Sequence, residues 1–66
     1  MNYKYADSSM ISKYKYSGNI LHIVMTNGDE YVYYGVPKHV FEDFEKGSIG
    51  SNYNRLIKPH YKFSKE

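Results

Sequence analysis

The stretch Ser48-Ile49-Gly50-Ser51-Asn52 is the part of this sequence best suited to holding an anion. Ser48 can cap a helix, and the first turn of a helix leaves backbone N–H groups unpaired at the positive end of its dipole. Gly50 permits close approach of a ligand to the backbone. Arg55, about one turn further on, could fork onto a phosphate, and Lys58 and His60 add charge beside it. A capped helix whose glycine merely makes the turn accounts for the same residues and is the commoner arrangement. The segment is not a Walker-type loop, because no Lys-Ser/Thr pair follows the glycines.

Nine tyrosines in 66 residues are the other unusual feature. Tyr31 and Tyr33 share one face of a strand, where their rings can pack a thin core and their hydroxyls reach water. Rings on one face can also stack nucleic-acid bases, worth about 1–3 kcal/mol per base, or form an interface between copies, where Tyr is enriched. Asn54 is read either as an amide tying a helix to neighbouring backbone or as a ligand contact, the former preferred. Ser8 and Ser9 can bond backbone at the start of the sheet or donate to a ligand.

Catalysis finds little support. Ser8, Ser9, Ser48 and Ser51 and three histidines are present, but none stands in a nucleophile-elbow or similar frame. Glu42, Asp43 and Glu45 fall on a solvated helix face rather than as a working carboxylate pair. The chain has no Cys, which excludes disulfides and thiolate metal sites, and His22, His39 and His60 are 17 and 21 residues apart, matching no local metal motif. Neither a metal nor a cofactor is expected.

The elements that must position these residues follow from turn signals and periodicity. Residues 1–7 read as a lead-in, 8–63 as a single domain and 64–66 as a tail. A strand from Ser8 ends at Ser17-Gly18-Asn19. Ile20 to Thr26 is a second strand, with Leu21, Ile23 and Met25 on its core face. Asn27-Gly28 predicts a type I′ hairpin into a third strand, Glu30 to Tyr34. Pro37 suits the first position of a helix bearing Val40, Phe41 and Phe44, which Gly47 stops. Ser48 opens a second helix with Ile49, Tyr53, Leu56 and Ile57 on one face, ended by Pro59. The fold class is α+β: a three-stranded antiparallel meander, with a fourth short edge strand available at His60 to Phe63, packed by two short C-terminal helices.

Taken in order, these residues resemble the KTSC domain, a family of about this length found at the C-terminus of some lysyl-tRNA synthetases and as free-standing bacterial and phage proteins. The resemblance runs from residue 8 to 61. It is carried by Ser8-Ser9-x-Ile11, Tyr16, Leu21-x-Ile23-x-Met25, Gly28, Tyr31-x-Tyr33, Gly35-Val36-Pro37, Ser48-x-Gly50, Tyr53-Asn54, Ile57-Lys58 and Tyr61. Met25 stands where the family usually has Phe, and Glu45-Lys46-Gly47 where an alanine-containing segment is common. The synthetase association implies RNA as one class of partner.

A chain of this length buries only about 60% of its unfolded surface, and without disulfides or metal self-association is the expected support. The net charge of +2 is small for a strong nucleic-acid binder, although Arg55, Lys58, Lys62 and Lys65 give the C-terminal end a positive bias. No apolar run suits a membrane span and the N-terminus lacks a signal-peptide core. The expectation is a cytoplasmic protein, and its Lys, Tyr, Asn and Ile content suits a low-GC bacterium or its phage. The sequence thus predicts a non-enzymatic, homo-oligomeric module binding a nucleotide or other phosphate-bearing ligand. Such a module could sequester a nucleotide signal of host defence. An RNA-binding accessory or a protein-interaction module are the alternatives.

Overall fold

The computed structural model describes residues 2–66. Along the chain come β1 (Lys4–Tyr5), β2 (Ile11–Ser17), β3 (Ile20–Met25), β4 (Glu30–Tyr34), α1 (Lys38–Phe44), α2 (Ile49–Asn52) and β5 (Phe63–Lys65). The strands form one antiparallel sheet in the order β1-β2-β3-β4-β5. Five strands correct the expected meander of three or four. Lys4 and Tyr5, read as lead-in, pair with Tyr14 and Lys13. The last strand begins only at Phe63, the end of the expected His60 to Phe63 stretch, and runs into the expected tail, pairing Phe63, Ser64 and Lys65 with Tyr33, Val32 and Tyr31. Strands of two and three residues are too short to show alternation, so only their tertiary pairing reveals them.

Register in the sheet is set by two different turns. Gly18 and Asn19 both adopt positive φ, 58° and 64°, and Ser17 pairs directly with Ile20, the geometry of a two-residue type I′ hairpin. Asn27-Gly28 departs from the expected type I′ form. Of that pair Gly28 alone has positive φ (95°); its N–H donates to Met25 O at 3.0 Å and Met25 N–H to Asp29 O at 2.8 Å. The result is a three-residue loop with glycine at its left-handed position. Asn27 serves it differently, accepting the Asp29 N–H at 3.0 Å through its side chain.

One sheet face is covered. Tyr14, Leu21, Ile23 and Tyr33 point into it, under Phe44, Tyr53 and Ile57 from the helical segments, with Ile11 and Val36 closing the ends. Pro37 sits just before α1 in an extended conformation, at the N-cap rather than the first helical position. The α2 turn widens into a π-helical turn, Tyr53–Ile57, in which Lys58 N–H reaches back five residues to Tyr53 O at 2.9 Å. Pro59, with no N–H, cannot extend it.

Two buried polar contacts join these layers. Asn52, 6% exposed, donates its amide N–H groups to the carbonyls of Phe44 (3.0 Å), Asp43 (3.2 Å) and Lys46. These acceptors lie at the end of α1, where carbonyls have no partner within the helix. Arg55 Nη2 donates to Asn52 Oδ1 at 2.9 Å, occupying the acceptor side of the same amide. Beneath them the hydroxyls of Tyr33 and Tyr53 share a hydrogen bond of 2.6 Å, their rings edge-on at 5.8 Å. Burial, and then the bond to Tyr53, holds the Tyr33 proton well above the ordinary tyrosine range.

Both contacts have measurable consequences. Asn52→Ala should destabilise the fold by about 2–3 kcal/mol in denaturant titrations, because buried carbonyls lose their donor. Asn52→Asp should cost more at neutral pH, since it sets a carboxylate against those acceptors. Tyr33→Phe and Tyr53→Phe should each cost about 1–3 kcal/mol by leaving one buried hydroxyl unpaired. The double variant should cost less than their sum, because no hydroxyl is then orphaned.

Candidate ligand-binding site

In the anion-binding stretch read from the sequence, the N–H groups of Ser51 and Asn52 are both met by Ser48. Ser48 Oγ accepts the Ser51 N–H at 3.4 Å, and the α2 segment it caps has four residues before the π-helical turn. Gly50 lies against the start of the sheet: a Cβ placed there would come within 3.0 Å of Ser8 Oγ. That oxygen already accepts the N–H groups of Met10 (3.1 Å) and Ile11 (3.3 Å). Ser8 and Gly50 are therefore brought together, in a contact that locks the β1–β2 connection to the helix. Ser9 is exposed, and its carbonyl accepts the Thr26 hydroxyl at 3.0 Å.

The remaining sequence-derived residues are dispersed. Arg55 is exposed but leans on Asn52. Asn54, Lys58 and His60 are exposed, with His60 stacked edge-on near Tyr61 at 6.4 Å. Tyr33 is 1% exposed and inside the core, while Tyr31 is half-buried against Phe63 at 5.6 Å. The sheet does meet the helical segment, at Tyr33 and Tyr53. That meeting is a core contact between two buried rings.

A concave site lies instead beyond the end of β1, where the edge of β2 runs under α1. It is a shallow cleft of about 100 Å³, lined by Asn2, Lys4, Tyr14, Lys15, Tyr16 and Phe41. Each wall has a structural reason. Alternation along β2 sends Tyr14 and Tyr16 under α1 and Lys15 to the opposite side, while β1 brings Lys4 beside Tyr14. Phe41, on the α1 face turned to the sheet, stacks on Tyr16 with centroids 4.3 Å apart and rings 6° from parallel. Tyr14 meets Phe41 edge-on at 6.0 Å.

The polar groups around the cleft are held in fixed directions. Tyr16 donates its hydroxyl hydrogen to Val36 O, 2.6 Å away, with Asn19 Oδ1 at 3.0 Å. Tyr14 donates to Glu45 Oε2 at 2.7 Å, and Lys4 Nζ reaches the same oxygen at 3.1 Å. Burial first, and then the Glu45 carboxylate, keep the Tyr14 phenol protonated well past its usual range. Among the described residues no carboxylate pairs with Lys15; with Lys13 it sits over the Tyr3 ring, each ammonium 4.7 Å from the centroid. The cleft thus presents aromatic surface with Lys4, already paired with Glu45, at its rim, while Lys15 lines it from a strand position whose ammonium lies over Tyr3.

Sequence reasoning passed over this constellation. Its signal was the alternation Lys13-Tyr14-Lys15-Tyr16, basic and aromatic residues interleaved on one strand. The missing element was Phe41, which only the docking of α1 brings to Tyr16. Among the described residues no group of three His, Asp or Glu side chains is placed to hold a metal ion, and no helix is long and apolar enough to cross a membrane.

A search of the curated proteins gives no match. The family model of the KTSC domain matches residues 7–61. That span takes in β2 to β4, both helices and the π-helical turn, and with it the ordered motifs from Ser8 to Tyr61: the chain belongs to the KTSC domain family.

Proposed function

We propose that the protein is a non-catalytic binding module for a nucleotide or similar ring-bearing phosphate, taken up at the β2–α1 cleft. The observation that carries this reading is the convergence of Tyr14, Tyr16 and Phe41 with Lys4 and Lys15 around one concavity. Its size limits the occupant. At about 100 Å³ it is well below the roughly 300–1,000 Å³ of a site that engulfs a drug-sized ligand. One ring fits against the aromatic wall, and the phosphate remains outside, where Lys15 and Lys4 can reach it.

Energetics favour a modest, stoichiometric binder. A stacked base contributes about 1–3 kcal/mol, and a phosphate met by one or two lysines at a solvated rim adds less than a buried bidentate contact would. Binding without turnover is also what sequestration of a nucleotide signal requires, and that role belongs to the same reading. The small net charge of +2 favours a small ligand over a long nucleic-acid strand.

A thermal-shift panel of nucleoside mono-, di- and cyclic phosphates should raise the melting temperature with at least one member. Titration calorimetry should then show Lys15→Ala binding it about tenfold more weakly, while Arg55→Ala binds normally. Loss on Arg55→Ala with Lys15→Ala unaffected would move the site to the Ser48 to Lys58 segment. A panel with no shift at any concentration would overturn the nucleotide reading in favour of a protein partner.

A further inference from the structure

The helices cover one face of the sheet, and the opposite face has a charge pattern of its own. Reading across the strands, one row holds Tyr5, Lys13, Val24 and Glu30, extended by Glu66, whose N–H donates to Glu30 O at 2.8 Å. The next holds Lys15, His22, Val32 and Ser64, and the third Ser17, Ile20 and Tyr34. Lys13 and Lys15 therefore flank this face on the β2 side, both ammoniums over the Tyr3 ring, and Glu30 and Glu66 on the β4–β5 side, where Lys62 adds a positive charge at the end of the Tyr34 row. The central strand between them contributes Ile20, His22 and Val24, all half-buried. Beside them Val32 is buried and Tyr34 is 46% exposed.

Such a face is complementary to itself. A two-fold axis along β3, with two sheets packed face to face and strands nearly aligned, exchanges the β2 and β4 flanks. Residues on β3 then meet their own copies, and each row is laid on the same row reversed. Lys13 falls opposite the partner's Glu30, and Glu30 opposite the partner's Lys13. We infer that the helix-free face of the sheet is a homodimer interface, with a two-fold axis along β3 and two reciprocal Lys13–Glu30 pairs across it.

Further details agree with this arrangement. The ring of His22 lies on the axis and would meet its own copy, which requires the neutral form. Burial, and then Lys15, lower its proton affinity, with Glu66 and Glu30 opposing from the other flank. Opposed rim charges of this kind fix register and partner choice more than they add affinity.

The interface is small. Five strands about 4.8 Å apart and about three rows deep give on the order of 400 Å² per copy, or about 800 Å² in all, below the roughly 1,200 Å² at which stable complexes begin. The dimer is accordingly a reversible one that dissociates on dilution.

Sedimentation equilibrium over a wide concentration range tests this directly. The parent chain should associate from monomer to dimer, and no further, as concentration rises. Lys13→Glu and Glu30→Lys should each weaken association at least tenfold, because each sets like charges opposite one another twice, with circular dichroism confirming that both remain folded. Mixed in equal amounts, the two variants should associate with each other, since both cross-pairs are then attractive. A parent that stays monomeric at every concentration overturns the inference, as does a mixture that associates no better than either variant alone. Neither substituted residue lines the β2–α1 cleft, so ligand binding by the monomeric variants separates this inference from the proposed function.

Discussion

A single buried amide fixes how the two helical segments of this protein sit against one another. Asn52 presents its N–H groups to the carbonyls that end α1 and its oxygen to Arg55, two positions into the π-helical turn. Without that junction the two short helices would be joined only by the flexible Lys46-Gly47-Ser48 link and by apolar contact. Seven- and four-residue helices have little intrinsic stability, so their geometry must come from tertiary contacts. The amide provides a directional one between the helices, and the adjacent Tyr53 provides a second, to Tyr33 on the sheet.

Functional geometry follows from the same junction. Once α1 is held, Phe44 enters the core against Tyr14 at 5.3 Å, and Phe41 is left at the border, stacked on Tyr16. The cleft is this border. Its aromatic wall comes from one strand and one helix, and its lysines come from β1 and the outer side of β2. Glu45, one residue past α1, ties Lys4 and Tyr14 to the helix end through one carboxylate oxygen. A ligand ring would thus rest on side chains whose positions are already fixed by the core, so little ordering is needed on binding.

Much of this architecture could be read from the chain before its coordinates. Strong β formers from Ile20 to Met25, the Gly-Asn and Asn-Gly turns, the Pro37 and Gly47 boundaries and the serine cap each act locally, and local signals survive in sequence. What was hidden depended on distant partners. Lys4-Tyr5 and Phe63–Lys65 become strands only because β2 and β4 offer them edges. Asn-Gly favoured a two-residue turn, yet the pairing of Val24 with Glu30 left room for a third residue. Asn52 and Asn54 are equivalent by type, and only the helix crossing decides that the first is buried and the second exposed. The cleft was missed for the same reason: Tyr14, Lys15 and Tyr16 adjoin in sequence, but Lys4 comes from 10 residues before Tyr14 and Phe41 from 25 residues after Tyr16.

The proposed ring-binding cleft between β2 and α1 depends on α1 being docked as the Asn52 junction holds it. The most direct measurement is amide chemical-shift mapping by NMR during titration with the nucleotide that gives the largest thermal shift. Saturable perturbations centred on Lys4, Tyr14, Lys15, Tyr16 and Phe41 are expected. Perturbations confined to Ser48 through His60, with the β2–α1 border unchanged, would contradict that expectation.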